Sequence, residues 1–368
     1  MTTKTSIQEE ALQKVLLLDR CSASISMGVG KTLLGLKHME EQCKLLLGHP
    51  GRPKAFLVVA PKKSIFTSWE DDAVKFGLGY LLEFIDFSTY VGLNKKDPTQ
   101  YEMIYLDECH SLLDNHEKFL SAYKGKILGL TGTAPKWENS EKGKMVDKYC
   151  PMVYSYITDD AVEDGILNDY RIIVHTMALS PLRTFQKKTR AGGSWMTSEL
   201  NDYEYWTGKI GSAYTEKALQ ISRVMRMKAM MTYPSKEQYA RKLLQEQTEK
   251  CLLFCNTIDQ AHKMAAHSYT SKNPKSDANL EKFKKGDIDK LSCVLQLSEG
   301  VNIPSLKAGI IMHSYGNERK ASQRIGRLLR LNPDDVATMH ILCYSDTVDE
   351  QWTKNALADF DQTKITWK

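Results

Sequence analysis

Long apolar runs are missing from this chain. The longest, Ala55-Phe56-Leu57-Val58-Val59-Ala60, holds six residues, far short of the roughly 18 that an α-helix needs to cross a bilayer. The N-terminus, Met1-Thr2-Thr3-Lys4-Thr5 leading into Gln8-Glu9-Glu10, lacks the apolar core of a signal peptide. An intracellular, cytoplasmic location without a membrane partner is therefore expected. Cysteine is sparse: eight in 368 residues cannot make a disulfide scaffold, and free thiols in a reducing compartment are expected. Cys251 and Cys255 stand four apart in an expected strand, with no second Cys/His pair at zinc spacing, so metal binding is not expected there. Low-complexity runs and short-period repeats are also absent. No strong excess of one charge exists; the formal net charge of +5 permits a nucleic-acid partner without demanding one. What is present is 42% apolar and 26% charged residues over a length of two or three domains. That composition excludes a disordered chain, a collagen-like fibre and a coiled coil.

Short apolar runs alternate with amphipathic stretches over the first 135 residues. Ala55–Ala60, Met103–Leu106 and Lys126–Leu130 read as buried strands; Leu33–Leu47 and Phe66–Phe76 read as helices. Continuous apolar strands separated by helices imply βαβ units and a parallel sheet covered on both faces. The pattern stops near Tyr170. Residues 180–245 read as mostly helical, interrupted at Ala191-Gly192-Gly193-Ser194. Alternation resumes at Cys251–Cys255, Cys293–Leu297, Ala308–Met312 and Thr338–Leu342, with a last helix from Val348. The expectation is an α/β protein with two parallel-sheet domains, 1–170 and 251–368, and a helical segment at 171–250. Pro181–Lys250 carries 13 Lys+Arg against seven Asp+Glu, interleaved with Phe185, Trp195, Tyr203, Tyr205, Trp206, Tyr214, Tyr233 and Tyr239. Such interleaving suits a nucleic-acid surface, and equally a solvated helical linker with its aromatics in a core.

Ser26-Met27-Gly28-Val29-Gly30-Lys31-Thr32 precedes the first of these helices. A glycine-rich turn before a helix aims backbone N–H groups at a phosphate. Lys31 can reach the β- and γ-phosphates, and the Thr32 hydroxyl can ligate Mg²⁺. The strict phosphate-loop pattern has a glycine where this chain has Ile25. Asp107-Glu108-Cys109-His110 follows the strand ending at Leu106. Adjacent carboxylates at a strand end are costly to bury unless a cation or donors meet them. Asp107 suits Mg²⁺, and Glu108 suits polarising a water that attacks the γ-phosphate. In Gln323-Arg324-Ile325-Gly326-Arg327-Leu328-Leu329-Arg330, Gln323, Arg327 and Arg330 share one helix face. Two arginines aimed at a transferring phosphoryl group stabilise its charge. His340, and Met227, Met230 and Met231 at helical spacing, read as packed residues.

These motifs, in this order over nearly the whole chain, resemble superfamily 2 helicases and translocases. Gln8 resembles the adenine-reading glutamine ahead of the phosphate loop. Met27–Thr32 resembles motif I, in a form close to the Swi/Snf branch, as does Val58–Ser64 with Trp69 as motif Ia. Phe87-Ser88-Thr89-Tyr90 resembles motif Ib, Asp107–His110 a DECH form of motif II, and Leu130–Pro135 motif III. Leu253–Asn256 resembles motif IV, Leu297–Pro304 motif V and Gln323–Arg330 motif VI. Motif V carries Asn302 where Asp is common. The short middle segment, and Ala161–Leu167, resemble the type III restriction-subunit and phage recombination-helicase branch.

The resemblance implies two RecA-like domains, with ATP and Mg²⁺ bridging them. Catalysis would fall to Lys31, Asp107, Glu108, Gln323, Arg327 and Arg330. Nucleotide would be held by Gln8, Met27, Gly28, Val29, Gly30, Lys31, Thr32, Gly300 and Asn302, and Mg²⁺ by Thr32 and Asp107. Nucleic acid would meet Pro61, Lys62, Lys63, Ser88, Thr89, Asn256 and Ser298, with His110, Thr131, Gly132 and Thr133 coupling the two. The expected activity is a DNA helicase or translocase acting on single-stranded, branched or duplex DNA, as a monomer that joins a replication or recombination complex. An RNA helicase and a nucleic-acid-stimulated switch or annealing factor are the alternatives, and the compact size suggests a phage origin.

Overall fold

The computed structural model describes residues 3–26, 28–45, 54–132, 140–188, 192–294, 303, 305–314, 336–358 and 360–368. Its contacts divide the chain into two units, Met1–Asn168 and Asp169–Lys368.

In the first unit the apolar runs become strands of one sheet. The order along the chain is α1 (Lys4–Leu16), β1 (Arg20–Ile25), α2 (Lys31–Leu45), β2 (Phe56–Ala60), α3 (Ser64–Lys75), β3 (Ile85–Thr89), β4 (Met103–Asp107), α4 (Glu117–Ala122), β5 (Lys126–Thr131), α5 (Glu141–Tyr149), β6 (Met152–Tyr156) and α6 (Thr158–Glu163). The six strands pair in parallel in the order β3-β2-β4-β5-β1-β6. Every residue of β2 and β4 is buried, the pattern of strands covered on both faces. β1 has no apolar run, yet it sits inside the sheet. Its small residues Ser22, Ala23 and Ser24 let it lie close to β5, where a Cβ on Gly129 would come within 2.7 Å of Ser22 Cβ.

The second unit runs β7 (Asp169–Met177), β8 (Phe185–Lys188), β9 (Ser194–Thr197), α7 (Glu199–Gly211), α8 (Glu216–Met231), α9 (Pro234–Glu246), β10 (Cys251–Phe254), α10 (Ile258–Met264), β11 (Ser268–Tyr269), α11 (Ser276–Lys285), β12 (Lys290–Cys293), β13 (Ala308–Ile311), β14 (Val336–Tyr344), α12 (Val348–Leu357) and β15 (Ile365–Trp367). Seven of these strands form a second parallel sheet, β11-β12-β10-β13-β14-β7-β15. Fold class is therefore as expected: two parallel-sheet α/β units.

The middle of the chain departs from the sequence reading in two respects. β7 pairs with β14 from Asp169 to Met177, so the stretch that follows the first unit is built into the second sheet. Residues 185–188 and 194–197, expected within a helical region, form the antiparallel pair β8–β9. The pair is held from below: the Phe185 and Tyr233 rings are 5.7 Å apart, and Lys187 is ion-paired with Asp202 of α7. Helix starts only at Glu199, where the Ser198 side chain caps it by accepting from Asn201 N.

The basic surplus of this stretch is partly spent inside the fold. Lys236 is fully buried, its Nζ 2.6 Å from Asp349 Oδ2. Lys187 also lies over the Trp206 ring at 5.4 Å, and Arg226 lies over Tyr203 at 5.4 Å. All eight cysteines are free and buried, with Cys251 and Cys255 in an apolar cluster around Leu253. Among the described residues, no helix is long and apolar enough to cross a membrane.

Candidate nucleotide-binding site

β1, β5 and β4 lie side by side, with Ser24 opposite Thr131 and Leu130 opposite Asp107. Their C-terminal ends therefore bring the 26–30 loop, Thr131-Gly132 and Asp107-Glu108 to one edge of the sheet. In open parallel sheets that edge is where ligands bind. The loop is shaped by glycine: Gly28 has φ 91° and Gly30 φ 107°, values that side-chain-bearing residues rarely adopt. Leu34 N donates to Gly30 O at 3.0 Å, closing the first turn of α2. Gln8 of α1 is buried beneath the loop, and its Nε2 donates to Val29 O at 2.8 Å.

Lys31 opens α2 and faces the acidic pair. Its Nζ is ion-paired with Glu108 Oε1 and lies 3.9 Å from Asp107 Oδ1. The backbone turns sharply after β4: Glu108 has the left-handed values φ 51°, ψ 53°. Strain of this kind in a non-glycine residue persists only where surrounding contacts over-determine it. Here they do. Glu108 N donates to Asp107 Oδ1 at 2.9 Å, and Thr131 Oγ1 donates to Glu108 Oε2 at 3.4 Å. His110 Nδ1 lies 2.8 Å from Thr131 Oγ1 and 3.3 Å from Glu108 Oε2.

Charge in this cluster is balanced by proximity rather than by solvent. Burial pushes the Glu108 carboxyl up, but the Lys31 ammonium, His110 and the Gly132 backbone N–H together hold it below the usual carboxylate range. Burial raises the Asp107 carboxyl, opposed by Lys31 and reinforced by the Glu108 charge. Lys31 itself is pulled down by burial and pushed higher by Glu108 and Asp107, ending above its ordinary value. At neutral pH Glu108 is thus an anion paired with a cation, each depending on the other.

These residues fit a magnesium nucleotide. Gly28 and Gly30 hold positive-φ backbone just before the start of α2, where backbone N–H groups can face a phosphate. Thr32 and Asp107 supply the hard oxygen donors that Mg²⁺ prefers. Two residues outside the sequence-derived set hold Asp107: Trp69 of α3 donates Nε1–H to Oδ2 at 2.9 Å, and the Tyr90 hydroxyl donates to the Asp107 carbonyl at 3.0 Å. The signal that pointed to Trp69 was only its place in motif Ia.

The nucleic-acid candidates are distributed differently. Lys62 and Lys63 are exposed just before α3, with Pro61 half-buried ahead of them. Ser88 is buried, its hydroxyl donating to Thr89 O at 3.2 Å. Asn256, in the second unit, follows β10 and donates Nδ2–H to Met231 O at 3.4 Å. Met27, Thr133, Ser298, Gly300, Asn302, Gln323, Arg324, Arg327 and Arg330 lie outside the described residues.

Comparison with known proteins adds four findings. Residues 235–332 match the helicase conserved C-terminal domain. The chain is 22% identical over 367 residues to the DNA 3'-5' translocase XPB2 of Sulfurisphaera tokodaii, covering 91% of this chain and 80% of that protein. Its fold is similar to the Hef helicase domain of Pyrococcus furiosus, with TM-score 0.51 and 13% identity over 94% of this chain and 96% of that one. It is also similar to the DNA-bound, ATP-dependent Type ISP restriction-modification enzyme LlaBIII, with TM-score 0.61 and 15% identity over 99% of this chain; there the chain spans only 30% of the larger protein. The chain thus matches a helicase conserved C-terminal domain over residues 235–332 and has a two-sheet fold similar to those of a helicase domain and of an ATP-dependent restriction enzyme.

Proposed function

We propose that this protein is a nucleic-acid-dependent ATPase of superfamily 2, acting as a DNA helicase or translocase. The observation that carries the reading is the convergence of Lys31, Asp107 and Glu108 beside a glycine loop at the C-terminal edge of a parallel sheet. In the free protein Lys31 neutralises Glu108. A β- or γ-phosphate held over Gly28–Gly30 competes for the same ammonium. Once Lys31 turns to the phosphate, Glu108 loses its largest opposing charge and its basicity rises. The carboxylate is then better matched to polarising an attacking water. His110 and Thr131 keep its other oxygen oriented. Thr32 and Asp107 are the residues that would hold Mg²⁺, which supplies charge neutralisation and orientation of the phosphates when bound. By resemblance, Gln323, Arg327 and Arg330 act on the charge of the transferring phosphoryl group.

The finer placement, a DECH-box member of the type III restriction-subunit and phage recombination-helicase branch, is supported by Asp107–His110 and the short middle segment. DNA rather than RNA is supported by Trp69 in motif Ia, by the Gln323–Arg330 run and by similarity to a protein named as a DNA translocase. Steady-state ATPase with single-stranded DNA, duplex DNA and RNA tests the reading. Stimulation by DNA that disappears in Glu108→Gln is expected. Stimulation by RNA alone overturns the DNA assignment, and turnover indifferent to both overturns the motor. Strand displacement by the same preparation separates unwinding from a switch or annealing role.

A further inference from the structure

Trp69 is the largest fully buried side chain of the first unit, and its one polar atom is aimed at the candidate site. Nε1 donates to Asp107 Oδ2 at 2.9 Å. The ring has little freedom to do otherwise. It meets Tyr105 edge-on at 6.2 Å between centroids, and it fills the space over Gly35 of α2, where a Cβ would come within 2.5 Å of the indole. The other Asp107 oxygen accepts from Glu108 N at 2.9 Å. Both oxygens therefore have a fixed donor, and the carboxylate plane is set before any ligand arrives.

We infer that α3 is a positioning element for a divalent-cation site: Trp69 orients the Asp107 carboxylate. This rests on the reading of the first unit as a magnesium-nucleotide site. Trp69 acts through the ligand rather than on the nucleotide. Hydrogen bonds of this outer kind are worth about 10–100-fold in metal affinity. The arrangement also places Asp107 under the control of a helix whose first turn follows the exposed Lys62-Lys63.

The test is binding of methylanthraniloyl-ADP to the full chain, titrated once with Mg²⁺ and once in EDTA. Trp69→Phe keeps an aromatic ring and removes the N–H. Its affinity in Mg²⁺ should fall about tenfold, and its affinity in EDTA should match wild type. A role for Trp69 in packing alone would weaken both titrations equally. That result, or no change in either, overturns the inference. If Trp69→Phe fails to fold by circular dichroism, benzothienylalanine at position 69, which replaces the indole N–H with sulfur in a ring of the same shape, decides by the same pair of titrations. Failure of the wild-type chain to bind more tightly with Mg²⁺, or an Asp107→Asn variant that keeps the full Mg²⁺ effect, overturns the reading of the site instead.

Discussion

The Gln8 amide and the Val29 carbonyl are joined at 2.8 Å, and a Cβ on Gly30 would stand 2.3 Å from the same amide nitrogen. Gln8 thus braces the loop that the resemblance has it serve as a base reader. The two roles give different outcomes. Gln8→Ala leaves the buried Val29 carbonyl without its donor, a loss of about 1–3 kcal/mol, and as a brace it should weaken ATP and GTP binding alike. A loss confined to ATP, measured by competition against a fluorescent nucleotide, would mark base reading instead.

Glu108→Gln isolates the chemical role of the acidic pair. The amide still accepts from Lys31, so nucleotide should bind near wild-type affinity while hydrolysis slows about 10²–10⁴-fold. Lys31→Ala does more: it strips the cation from two buried carboxylates, so nucleotide binding and turnover should both be lost. Near-normal ATPase in Glu108→Gln would remove Glu108 as the group that polarises water.

The basic stretch between Pro181 and Lys250 needs a test designed around its internal pairs. Reversing Lys187 would set a carboxylate against Asp202, and Lys236 is buried with Asp349. Arg183, Lys217 and Arg223 are exposed and carry the prediction. Each phosphate contact adds about −0.7 on single strands, or about −0.9 on duplex, to the log–log salt slope of DNA binding. Reversing all three to Glu should flatten that slope by about two units. An unchanged slope would mark this surface as solvated linker.

Two buried histidines set an acid limit. Burial, helped by the Lys126 charge, lowers His38 to about 4. Burial, with His175 and Lys368, lowers His340 to about 4. The unfolded chain takes up these protons below about pH 6.5, whereas the folded chain does so only near pH 4. Stability contributed by the neutral rings is therefore complete above pH 6.5 and lost as pH falls toward 4. Each ring should add up to about 1.4 kcal/mol per pH unit to the slope in that window. Urea unfolding of His38→Gln and His340→Gln between pH 7 and 5 should show a shallower slope than wild type. Slopes equal to wild type would refute the assignment.

Much of the first unit was legible because burial imposes local patterns. β2, β4 and β5 announce themselves as continuous apolar runs, and α3 begins and ends within two residues of the expected Phe66–Phe76. Asp107-Glu108 stands out because two charges at the end of such a run demand a partner. β1 was silent: Arg20-Cys21-Ser22-Ala23-Ser24-Ile25 has the small residues its place beside Gly129 requires, and small residues carry no hydrophobic period. β7 and β15 were silent for a related reason. Their pairing partners lie far along the chain, as with Asp169 against Val336.

The sequence by itself determined the two-sheet class, the glycine loop and the acidic pair, because periodicity, glycine and adjacent charge act over a few residues. Only the tertiary structure decided that Lys31 meets Glu108, that Gln8 braces the loop and that Trp69 holds Asp107. Those pairings follow from parallel register and from the depth at which α1, α2 and α3 pack on the sheet, where excluded water makes each unsatisfied polar group costly. A hydrogen bond across 38 residues leaves no trace in local pattern, because the energy that selects it belongs to the packed state alone.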